Sequence, residues 1–431
     1  MHALRVDLSG DELVGKRSTH FSAIWLRSAH GHLAYERASV VAMQLPKPSP
    51  LPVRLAAPVD VRHAARAPLT IAAMTLTSYA VWLASYLGSG HSIWGLVLVG
   101  RRFEPRFPHA VSGTGYDGQW YYRLAIDPLH AASLLDKPAY RYLRILYPLL
   151  ARVAALGRAD LIPYTLVVVN ILAVAGGTLA VAVWLQRRGL SPSIALVYGL
   201  FPGLFTAVAR DVADPLAFGL VAVAIALLDR SVVWAALAFG LAAFTRESTC
   251  VFPVGYAAAA LLHGWRGATR AVLLVGVGVL PLLAYKLFLT VSLGSAGIPS
   301  EDLPVLIPLQ GIFTWWPWKG AQVEAVVSIV IPTLICTGAL IAIARHRHCT
   351  TEMVLLGLNC VLFVYMLHAT SFGDLFGSLR VTTGVVLSAI LCIPVTDRVL
   401  RSRRWFWTSV PFWLALAPVM FVLDPLSLVA R

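Results

Sequence analysis

Residues 115–128 read GYDGQWYYRLAIDP, and residues 139–148 read AYRYLRILYP. Asp117 stands at a turn between Gly115 and Gly118, among Tyr116, Trp120, Tyr121 and Tyr122. Arg123, Arg141 and Arg144 follow, so three permanent cations lie within a short stretch of one carboxylate. The chain on either side is strongly apolar, which predicts that this stretch sits at a membrane surface. A carboxylate that can take a proton, beside guanidinium groups that can grip a phosphate through two N–H bonds, is the making of a reaction site.

Working outward, the composition fits a membrane protein. The 431 residues are 58% hydrophobic and 13% charged, where a soluble protein carries about 25% charged residues. The net charge of +14 falls mainly in short connections between apolar runs, as orientation signals do. It forms no continuous basic face on a polar domain, which excludes nucleic acid as a partner. The five cysteines lie in or beside apolar runs without a CxxC pair, so neither a disulfide framework nor a zinc site is expected. No GxxxxGK[ST] or GxGxxG motif occurs, and His346 and His348 sit among cations on a solvated face.

Residues 1–66 carry nine cations against five acids, with prolines at 46, 48, 50 and 52. They read as a disordered basic cytosolic tail, and residues 67–431 as one membrane domain. Apolar runs at about 68–87, 161–185, 194–209, 215–228, 232–244, 249–262, 271–293, 323–344, 353–369, 381–395 and 405–423 predict an all-α polytopic bundle of about eleven spans. Residues 89–160 become a large first extracytoplasmic loop carrying the candidate site. With the tail in the cytosol, compact basic clusters such as Arg187–Arg188 and Arg398–Arg404 fall on the cytosolic side. Almost every acid of the membrane domain falls on the other, including Asp117, Asp211, Asp214, Glu247, Glu301, Asp302 and Asp374. A single wet cavity open to the extracytoplasmic face accounts for that sorting, because charges at membrane depth need a cavity or a partner.

Each candidate has a plain reading beside the chemical one. Asp117 is a general base or the cap of the helix that follows it. Arg141 and Arg144 hold a phosphate or anchor the interface with Tyr140, Tyr142 and Tyr147. Arg210, Asp211 and Asp214 form a polar turn with an internal ion pair, or a second wall that shapes the acceptor side. Two acids three apart are a weak cue for a divalent metal, so no cofactor is firmly implied. Arg246 and Glu247 interrupt an otherwise overlong apolar run; adjacent residues point apart on a helix, and Arg246 reads as a further phosphate contact. Tyr116, Gln119 and Tyr121 complete the expected binding surface. TWWPWKG (314–320) reads as an interfacial aromatic belt, and FGDLFGSLR (372–380) as cavity lining or helix capping.

The segments YDGQWYYRLAIDP, YRYLRILYP, RDVADPLAFGL and LAAFTRES, with a first span, a large acid-bearing loop and many further spans, resemble the GT-C superfamily of membrane glycosyltransferases. They are distantly similar to the GPI mannosyltransferase II and polyprenol-phosphate-mannose-dependent branches. The superfamily carries its essential acid in the first external loop, which maps onto Asp117; some members have two adjacent acids there, and this chain has one. The resemblance implies a bacterial inner-membrane enzyme that moves mannose, or another hexose or pentose, from a polyprenyl-phosphate donor to a glycan, lipid or protein acceptor with inversion. A transporter or flippase predicts repeated halves and broken helices at the midplane. A non-catalytic envelope-assembly protein predicts that the charges serve structure alone.

Overall fold

The computed structural model describes residues 61–261, 264–295, 304–347 and 349–422. The chain divides into two units, Met1–Pro58 and Val59–Arg431. The expected tail, apart from its last residues, lies outside the described residues, as do Glu301, Asp302 and His348. Those last residues already belong to helix Val61–Gly88. The second unit is all-helical among the described residues, its only strand-like contacts being the isolated bridges Val99–Gly115 and Gly100–Val111.

Among the described residues, five helices are long and apolar enough to cross a membrane: Arg66–Gly88, Ile162–Arg187, Gly267–Leu293, Gly320–Arg345 and Leu375–Leu400. Three shorter apolar helices accompany them, Asp214–Leu227, Val232–Thr245 and Thr351–Tyr365. The expected count of about eleven full spans is therefore not reached by length. A helix of 14 residues such as Asp214–Leu227 is about 21 Å long, short of the ~30 Å hydrocarbon core. The run expected at 194–209 is divided among the segments Pro192–Ala195, Leu196–Gly199 and Pro202–Val208, and the last break falls at Pro202, which has no N–H to continue the preceding helix. The last run divides into Arg404–Leu414 and Ala417–Val422. Hydropathy counts apolar residues; it cannot see where a run is cut.

Helix Ile162–Arg187 lies near the centre, packed along Val61–Gly88 on one side and Asp214–Leu227 on the other. The core around it is aromatic and aliphatic, with Trp82, Trp184, Tyr198, Phe201, Phe205 and Phe239 buried. Helices Asp214–Leu227 and Val232–Thr245 form an antiparallel hairpin, so Asp214 and Arg246 return to the same end of the bundle. The turn between them, with Asp229 and Arg230, marks the opposite end. Helix Gly118–Ile126 and its loop rest on the first of these ends through a second apolar cluster containing Val97, Tyr121, Tyr147, Ile162 and Val212.

Candidate functional site

The site begins with how Asp117 is aimed. It occupies the N-cap position of helix Gly118–Ile126 with φ −57° and ψ −28°, and its side chain makes no capping bond. The capping reading is thus overturned: the backbone is already helical, so the carboxylate points off the helix. The loop behind it is fixed by backbone contact. Gly115 has φ +69°, and a Cβ there would meet the Leu98 carbonyl and the Gly100 amide, each at 2.4 Å. Gly118 packs so closely that a Cβ would lie 2.5 Å from the Arg210 carbonyl. Gln119 ties both strands of the loop, accepting from the Gly100 amide at 3.1 Å and donating to the Thr114 carbonyl at 2.8 Å. Both ends of that amide are used by the loop. Gln119 therefore belongs to the scaffold, a correction to its place on the expected binding surface.

Asp117 bridges two arginines from distant parts of the chain. Its Oδ1 accepts from Arg141 Nη1 at 3.0 Å, and its Oδ2 from Arg380 Nη2 at 2.7 Å. Burial alone would raise this carboxyl, but Arg141 and Arg380 outweigh it and hold Asp117 well below the usual carboxylate range. Arg141 is also held from its other side, where Nε and Nη2 grip Asp136 in a bidentate pair, both at 2.9 Å. Arg144 grips Glu247 in the same way, at 2.9 and 2.6 Å, and lies over the ring of Tyr140 at 4.3 Å. Burial pushes Glu247 up, yet Arg144 prevails and holds it at about 2. Arg246 pairs with Asp214. The adjacent residues Arg246 and Glu247 thus serve separate partners.

Three elements close the cluster. Tyr116 donates from its hydroxyl to Asp374 Oδ2 at 2.7 Å, joining the loop to the start of helix Leu375–Val381. Asp374 also caps that helix through the Phe376 and Gly377 amides, as one of its two expected roles required. Arg210 is buried between the rings of Tyr116 and Phe376, its guanidinium carbon 5.7 and 5.1 Å from their centres. Tyr121 stacks edge-on against Tyr147 and is close enough to Arg141 and Arg144 to act on their charge.

Other expectations change. Asp211 is fully buried behind Gly118, with φ +48° and no hydrogen-bond partner for either carboxylate oxygen among the described residues. Burial pushes its carboxyl well up, and it does not reach the surface where an acceptor would stand. Arg123 pairs with Glu104, away from the cluster. The Asp117 side chain is 22% exposed, and those of Arg141 and Arg144 are 8% and 5% exposed. Among the described residues no three His, Cys, Asp or Glu side chains come together as a metal cage.

One cation expected only to line the cavity or cap a helix joins the cluster directly. Arg380 gives one N–H₂ to Asp117, while its Nη1 stands 3.9 Å from Asp214. Its Nε and Nη1 are buried without a hydrogen-bond acceptor among the described residues. A fixed cation six residues after the capping Asp374, at the mouth of an apolar span, was the available sequence signal. What stayed hidden was its pairing with a carboxylate 263 residues earlier. Comparison of the chain with protein-family models, with curated proteins and with solved structures returns no match.

Proposed function

We propose that this chain is a membrane glycosyltransferase of GT-C type, moving a sugar from a polyprenyl-phosphate donor to an acceptor at the face that carries Asp117. The observation that carries the reading is the pair of buried, unsatisfied donors on Arg380, beside the carboxylate that the same guanidinium holds. Buried polar groups without partners call for a missing acceptor, and a phosphate oxygen is suited to two N–H donors on one plane.

In this reading the donor phosphate docks on Arg380, with Arg246 alongside. Arg141 and Arg144, already gripped by Asp136 and Glu247, position the wall instead of holding the phosphate. At rest Asp117 is a weak base because two guanidinium groups stabilise its charge. A phosphate that draws on Arg380 removes part of that stabilisation, and Asp117 then takes the proton of an acceptor hydroxyl as it attacks the anomeric carbon. The leaving phosphate keeps its charge on the arginines, so no separate acid is required. The sugar bond to phosphate breaks as the bond to the acceptor oxygen forms on the opposite face, giving inversion.

The test uses the full chain in membrane vesicles with a labelled prenyl-phosphate sugar. Asp117→Asn should lower transfer by at least ~10²-fold. Arg380→Lys keeps a cation against Asp117 but loses the planar donors, and should raise KM for the lipid donor. Wild-type turnover by both variants would end the proposal.

A second reading is favoured by the pairing of Asp117, Asp136, Asp214 and Glu247 with arginines. The network would then be an internal strut in a non-catalytic envelope-assembly protein. It predicts that Asp117→Asn weakens folding while the cell's glycans stay unchanged.

A further inference from the structure

At the end of the bundle away from Asp117 lies a cavity of about 390 Å³, within the range of small-ligand sites. Helices Ile162–Arg187, Asp214–Leu227 and Val251–Leu261 finish around it, and helices Gly264–Gly278 and Thr351–Cys360 begin there. Its lining holds four charged side chains, Arg188, Asp229, Arg270 and Glu352, with Trp184 and Tyr256 beside them.

These charges are not all matched. Arg188 and Asp229 neutralise one another at 3.2 Å, and the Arg188 guanidinium sits over Trp184, 3.9 Å from the ring centre. Arg270 spends one N–H₂ on the Leu228 carbonyl at 3.3 Å and has no carboxylate partner among the described residues. The Glu352 carboxylate forms no ion pair or hydrogen bond among the described residues. Arg270 and Glu352 stand on different helices, beyond ion-pair distance. An acid in the first turn of Thr351–Cys360 complements the helix dipole, which accounts for Glu352 but not for the cavity or for Arg270.

We propose that this cavity binds a phosphoethanolamine group, its phosphate on Arg270 and its ammonium on Glu352, with its carbon atoms against Trp184 and Tyr256. A lone anion would be repelled by Glu352, and a lone cation by Arg270. A zwitterion satisfies both. Leu261, Trp265 and Val272, each within two residues of the lining positions Ala260, Gly267 or Arg270, are exposed apolar side chains, as at a lipid-facing rim. They favour the headgroup of a membrane phospholipid as the source.

The test measures thermal unfolding of the detergent-solubilised full chain with dihexanoyl phosphatidylethanolamine, dihexanoyl phosphatidylglycerol or free phosphoethanolamine added. The ethanolamine lipid should raise the unfolding midpoint at concentrations where the glycerol lipid does not. Glu352→Gln should weaken apparent affinity for the ethanolamine lipid by about tenfold and reverse the preference toward the glycerol lipid. Arg270→Gln should abolish the response to both. A response to free phosphoethanolamine equal to that of the lipid supports the site with a soluble source; a response to the lipid alone supports the headgroup. Equal response to the two lipids in the wild-type chain overturns the proposal, whatever the variants do. No sugar transfer enters these readouts, so the outcome is independent of the reading of the Asp117 cluster.

Discussion

Asp117 is a carboxylate whose two oxygens answer to different arginines, and the consequence can be measured residue by residue. Removing its charge leaves Arg141 still held by Asp136, but leaves Arg380 without its only hydrogen-bonded carboxylate among the described residues. A double-mutant cycle of Asp117→Asn with Arg380→Gln should therefore show strong coupling, above ~1 kcal/mol, whereas Asp117→Asn with Arg144→Gln should be nearly additive. Comparable coupling in both cycles would mean that the cluster acts as one diffuse charge pool. Glu247 makes a separate statement about pH. Its folded value of about 2 lies below the ordinary 4.5, so the unfolded chain binds more protons in acid. The stabilisation by Arg144 is present above about pH 4.5 and is lost as pH falls toward 2. The unfolding midpoint should drop between pH 5 and pH 3, and Glu247→Gln should flatten that acid limb while lowering the midpoint at neutral pH. An unchanged acid limb in the variant would place the titrating group elsewhere.

At the scale of elements, the loop that carries Asp117 depends on glycine at position 115 more than on any side chain within it. Gly115→Ala would impose a left-handed backbone on a residue with a Cβ, at ~1–2 kcal/mol, and press that Cβ against the Leu98 carbonyl. The variant should unfold at lower temperature and lose transfer by a larger factor than the stability change explains, because Asp117 moves with the turn. Wild-type activity in Gly115→Ala would show that the loop adapts. The sequence displayed the turn and its acid clearly, since glycines flank Asp117 and a run of aromatics follows it. It also displayed the separate directions of Arg246 and Glu247. It could not display that Asp117 has helical backbone and so does not cap, nor that the Gln119 amide is consumed by the loop. Those depend on where residues 99–114 run. The span expected at 194–209 is a further case: it is apolar throughout but a helix starts afresh at Pro202, and a proline's effect on a helix is legible only once its place in the helix is known.

For the whole molecule, the helices sort the charges to two ends. Asp117, Asp214, Glu247 and Asp374 meet at one, while Arg188, Asp229, Arg270 and Glu352 surround the cavity at the other. Cys349, exposed just before helix Thr351–Cys360, belongs to the second end, and exposed Ser112 lies in the Asp117 loop. In bacterial cells expressing a Cys250→Ser background, a membrane-impermeant maleimide should reach Ser112→Cys from outside and Cys349 only after the cells are opened. Labelling of both from one side would refute a membrane between them. The link from Tyr116 to Asp374 carries one last implication, for biosynthesis. Its two halves are separated by 258 residues, which a ribosome adds at ~5–20 residues per second. For tens of seconds the newborn loop waits with its acid matched by nearby arginines alone. Only when the late helix arrives does the carboxylate gain its second clasp, so the cluster is completed long after its first half is made.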